Sequence, residues 1–158
     1  MSELLTIFEN HFSKLHGRSV SLVTSLSDSQ LYEKPLPDDA SKGMLSCGEH
    51  ILRSAAAVEQ TFGGIATRLW DDPFEWALPE KLSTTELVIE YLSEVESTRR
   101  HAFGYFKSDD DLAKQIPAPK KIRPITDLLV ETLIRSSHFQ GRAFGVFEMI
   151  SGSPPPRI

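Results

Sequence analysis

The sequence predicts an all-α protein, an up-down four-helix bundle. Three observations lead there. Four long segments repeat apolar side chains at helical spacing, no segment shows the alternation of a strand, and capping residues, prolines or glycines bracket each one. Four amphipathic helices in one chain bury their stripes by packing together. At 158 residues, the chain reads as a single domain over its whole length, able to bury a core without disulfides.

The first helix is read from about Glu3 to Leu26. Leu4, Phe8, Phe12, Leu15, Leu22, Val23 and Leu26 share one stripe, with His11 and His16 at its two edges. Ser27-Asp28-Ser29-Gln30 is a capping-box pattern that opens a short helical turn. The run "EKPLPDDASKG" is a loop of prolines and turn formers.

The second helix is expected from near Ser41 to about Leu69, with Met44, Cys47, Ile51, Ala55, Val58, Phe62 and Ile65 inward. Gly63-Gly64 should weaken or bend its last turns. The loop that follows, "LWDDPFEWALPEK", carries Trp70 and Trp76. Such aromatics cover the end of a core or line a pocket mouth.

Ser83-Thr84-Thr85-Glu86 reads as a capping box for the third helix, whose face is Leu87, Val88, Tyr91, Leu92, Val95, Ala102, Phe103 and Phe106. "KSDDDLAKQIPAPKKIRP" is read as a long, proline-punctuated connection. Pro124 suits the first turn of a fourth helix reaching about Ile150, which Gly152 ends and Pro154 to Pro156 keep from resuming. Its core stripe includes Ile125, Leu128, Leu129, Thr132, Ser136, Ala143, Phe147 and Ile150. Val130, Ile134 and Met149, with Gly141 and Gly145, make a second apolar side that one core cannot bury. A homodimer is therefore expected.

Composition removes several function classes. The 17 Lys and Arg against 22 Asp and Glu leave a formal charge of −5, so a broad nucleic-acid footprint is absent. Lys120-Lys121-Ile122-Arg123 is a local basic spot, read as a solvated loop. Cys47 stands alone, so no intrachain disulfide forms, and it reads as a small core residue rather than a nucleophile. "MSELLTIFENHF" lacks the pattern of a signal peptide, and no apolar run reaches the ~20 residues of a membrane span. A cytoplasmic protein is expected. P-loop, dinucleotide and HExxH motifs are all missing.

Five histidines remain to be placed. From helical position alone, His50 is a core-edge residue with a local hydrogen bond, and His138 lies on the second packing side of the fourth helix. His11 and His16 read as boundary residues, and His101, beside Arg99 and Arg100, as solvated.

The long first helix, the stretch "YEKPLPDDASKGMLSCGEHI" and the helix end "HFQGRAFGVFEMISGSPPP" together resemble the DinB/YfiT-like bundle proteins, from about Leu4 to Pro156. The resemblance implies an often dimeric bundle that holds a divalent metal, zinc or nickel, on three histidines. One comes from the second helix and two from the fourth. It also implies thiol-dependent transfer or isomerisation. His50 matches the second-helix ligand. The fourth-helix pattern is His-x-x-x-His, one residue, then Gly. Anchored on Gly141, it puts Arg135 and Phe139 at the ligand positions; anchored on Gly152, Ser136 and Gln140. Neither register supplies a histidine, and His138 is out of step with both.

His50 and His138 are thus the candidate ligands of a degenerate site. Two readings follow. One is a metal-free bundle that binds a small molecule or a protein partner. The alternative is a metal-dependent, thiol-linked transferase or isomerase, with His138 recruited by local overwinding. A structural or catalytic zinc site ordinarily needs three protein ligands, which favours the first and predicts no tightly bound metal cofactor.

Overall fold

The computed structural model describes residues 2–37 and 43–157. In chain order it forms α1 (Glu3–Thr24), the single turn α2 (Asp28–Leu31), α3 (Cys47–Thr67), α4 (Thr85–Phe103), the single turn α5 (Asp109–Leu112), strands β1 (Gln115–Pro117) and β2 (Ile122–Pro124), and α6 (Ile125–Ser151). The buried apolar side chains of the four long helices make one cluster. The chain is an all-α bundle, and the two short strands are its only sheet among the described residues. No helix among them is long and apolar enough to cross a membrane.

Local sequence explains most boundaries. In α2, Ser27 accepts from the Gln30 amide and Gln30 Oε1 accepts from the Ser27 amide, the reciprocal box expected. α3 begins later than the stripe suggested. Ser46 and Glu49 close their own capping box there, while the expected start near Ser41 lies outside the described residues. α4 is capped by Thr84 rather than Ser83: its hydroxyl accepts from the Leu87 amide, so Glu86 closes no box. Pro124 stands just before α6, and Gly152 ends it in the left-handed region at φ 63°.

Two expectations are corrected. Gly63-Gly64 does not interrupt α3, which runs through both to Thr67. A Cβ on Gly64 would lie 2.4 Å from the Trp70 ring, so this glycine is a seat for an indole rather than a break. The connection before α6 is also no plain loop. β1 and β2 pair antiparallel, Ile116 opposite Arg123, and Ile116 is buried. Three-residue strands are too short to show a period.

Around the bundle the order is α1, α4, α3, α6. α1 and α4 are antiparallel: Asp28, just after α1, binds the Thr85 amide at 2.8 Å, and Glu9 meets Arg99 at 2.7 Å. α3 and α6 are antiparallel too, with Cys47 against the Ala143 carbonyl at 3.5 Å and Thr61 against Thr132 at 2.7 Å. α3 and α4, however, start at the same end. Tyr32 packs on Gly48 and donates to the Leu82 carbonyl at 2.5 Å. The long helices therefore run up, down, down, up. Residues 68–84 make this possible by returning along α3 as a strap. Trp70 sits on Gly64, Phe74 lies 5.0 Å from the Arg53 guanidinium, and the Trp76 indole donates to Glu59.

Candidate functional site

The capping box at Ser46 sets the first turn of α3 so that His50 faces α6. His50 is only 5% exposed, and its Nδ1 has no hydrogen-bond partner among the described residues. The local hydrogen bond expected for it is not made. Its neighbour across the seam is Phe139, ring to ring at 6.3 Å. The Gly141-anchored register therefore places Phe139 beside His50. The residues of the other register are occupied elsewhere: Gln140 donates to the Leu15 carbonyl and to Ser19 on α1, at 2.7 and 2.9 Å. Ser136 exchanges hydrogen bonds with Ser54, at 3.0 and 2.9 Å.

His138 is exposed and packs edge-on against Phe139 at 5.6 Å. Arg53, one turn after His50, spans Phe74 and Phe139 at 5.0 and 6.0 Å. Burial lowers the His50 pKa, and the charges of Arg142, Arg53 and His138 lower it further. His50 is a neutral imidazole at pH 7. Glu49 cannot offset those charges fully, because it is committed to its capping box and to Lys34 at 2.8 Å.

The metal implied by the resemblance does not fit this donor set. Among the described residues no three His, Cys, Asp or Glu side chains converge. Around His50 stand the Phe139 ring, which offers no ligand atom, and guanidinium groups, whose charge repels a divalent cation. Cys47 offers no thiolate either. It is wholly buried, and burial pushes its thiol up to about 12.

A second polar group was not anticipated. Arg99 on α4 is 1% exposed. It binds Glu9 of α1 through two nitrogens at 2.7 and 3.0 Å, and Glu96 through two bonds of 2.7 Å. Phe12 and Phe103 lie 5.9 and 5.8 Å from its guanidinium. A cavity of about 30 Å³ beside it is lined by His16, Ser19, Ser54 and Glu96, room for a water rather than a substrate. The signal was available in the sequence. The apolar stripe of this helix jumps from Val95 to Ala102, and position 99 falls in the gap on the core side.

The largest departure from expectation is at the hairpin. A pocket of about 300 Å³ opens between β1–β2, the strap and α6, with Trp70 and Arg135 in its lining. Lys120 and Lys121, exposed between the two strands as the solvated-loop reading expects, line it as well.

No family model and no curated protein matches the sequence. In structure, the chain is similar to a crystal structure of a DinB-like protein from Bacillus cereus ATCC 10987. The TM-score is 0.75 at 13% identity, covering 96% of this chain and 95% of that one. At that identity the likeness establishes the fold: a DinB-like helical bundle.

Proposed function

We propose that this DinB-like bundle is a small-molecule-binding protein whose three-histidine metal corner is degenerate. One observation carries the reading: the surroundings of His50, where Phe139 stands across the seam in place of a ligand and Arg53 and Arg142 add positive charge. Such surroundings favour an anionic group over a cation. The metal-dependent, thiol-linked transferase or isomerase keeps one supporting observation, the buried Nδ1 of His50 with no partner among the described residues.

Elemental analysis of protein purified without an affinity tag decides between them. The expected result is far less than one equivalent of zinc or nickel, unchanged in His50→Ala. Near one equivalent, lost in His50→Ala, would restore the enzyme reading.

A further inference from the structure

We propose that the hairpin pocket binds a small organic anion, a flat apolar body such as an aryl group bearing a carboxylate or phosphate. This deepens the binding-bundle reading and rests on it, but uses side chains other than His50. The pocket holds about 300 Å³, the lower end of the range for small-molecule sites. Its walls divide by chemistry. Trp70, Ala118 and Leu128 supply apolar surface, and Lys120, Lys121, Arg123 and Arg135 supply charge against the single carboxylate of Glu131.

That carboxylate is already engaged. Arg123 pairs with Glu131 and with Asp127, the latter at 2.7 Å. Lys120, Lys121 and Arg135 have no ion-pair partner among the described residues. Four cations against the two carboxylates of Glu131 and Asp127 leave the mouth of this cavity net positive on a chain of net charge −5.

The floor cannot hold the anion. Thr132 donates to the Leu128 carbonyl at 2.7 Å and so accepts from Thr61, which uses both hydroxyl protons. The ligand's charged end therefore belongs at the rim with the lysines and Arg135, and its flat body inside against Trp70. That wall is set in advance. The indole N–H is bound to the Pro117 carbonyl at 3.2 Å, and the ring rests on Gly64. A preformed wall lowers the ordering cost of binding.

The test uses the full chain carrying Trp76→Phe, which leaves Trp70 as the sole reporter. Phenyl phosphate, benzoate, inorganic phosphate and benzyl alcohol are titrated while Trp70 fluorescence is followed. Saturable binding of phenyl phosphate or benzoate is expected, with benzyl alcohol and inorganic phosphate each weaker by about tenfold or more. Joint replacement of Lys120, Lys121 and Arg135 by Gln should weaken the aryl anion by about tenfold or more, and added salt should weaken it too. Lys14→Gln with Arg18→Gln, on the far α1 surface, should change nothing. No saturable response to either aryl anion up to about 10 mM would overturn the proposal. So would equal binding of benzyl alcohol, or an unaffected triple variant whose circular dichroism matches the parent. Metal content of the same samples is read separately, so a failed pocket and a failed binding-bundle reading give different results.

Discussion

Arg99 is the residue on which α1 and α4 depend most. Its side chain is almost wholly buried and answered by two carboxylates, Glu9 and Glu96. Removing the cation leaves Glu9 without its partner and Glu96 with Arg100 alone. Arg99→Met should therefore cost about 3–5 kcal/mol in urea unfolding, whereas exposed Arg100→Met should stay within about 1 kcal/mol. Adding Glu9→Gln and Glu96→Gln to Arg99→Met should recover much of the loss, since no buried charge is then left unpaired. Hydrogen bonds to Arg99 hold the Glu9 carboxyl below its usual range. Burial would raise that of Glu96, but its bonds to Arg99 and Arg100 outweigh this and hold it low. A carboxyl lowered on folding stabilises the protein at neutral pH and loses that contribution as pH falls below 4.5. The gap on the core side of this helix marked position 99 in the sequence, but its partner Glu9, ninety positions away, could not be read from it. His50 was visible as a candidate, with Arg53 one turn after it, but Phe74 against Arg53 depends on the strap's path, which no periodicity encodes.

The strap and α3 explain each other at the level of elements. Gly63 and Gly64 look alike to helix propensity, yet only Gly64 has the Trp70 ring where a side chain would be. Gly64→Ala should displace the indole, shift tryptophan emission to the red and destabilise the fold by about 1–3 kcal/mol. Gly63→Ala meets nothing within 4 Å and should instead stabilise α3 by about 0.5–1 kcal/mol. Thermal unfolding of the two variants checks both signs. Helix existence was readable because amphipathic stripes are set by burial itself. The paired glycines misled because propensity describes an isolated helix, and the hairpin was missed because pairing is a contact between segments.

At the scale of the whole molecule, one side of α6 is left over. Ile134 is 65% exposed, Val130 lies open one turn before it and Met149 farther along the helix, and among the described residues nothing stands within 4 Å of where a Cβ on Gly141 or Gly145 would lie. Light scattering at micromolar concentration should give a homodimer, and Ile134→Glu should shift it to monomer with its helical content unchanged. A monomeric parent would sink this expectation. The bundle itself was legible in four stripes, but not the helix directions, because a connection's length does not say which way it returns.

The up, down, down, up arrangement also has a history during synthesis. The antiparallel partner of α1 is α4 and that of α3 is α6, so each pair closes across an intervening helix. While the chain grows, α1 waits for residues 85–103 and α3 for residues 125–151. Until α6 emerges, the α3 seam that carries Cys47, Ser54 and Thr61 has no cover from its main partner. Late closure of distant contacts slows folding and leaves apolar surface open to association. A ribosome stalled before Ile125 would hold a chain with its most apolar long helix half clothed, the form a chaperone would be expected to meet.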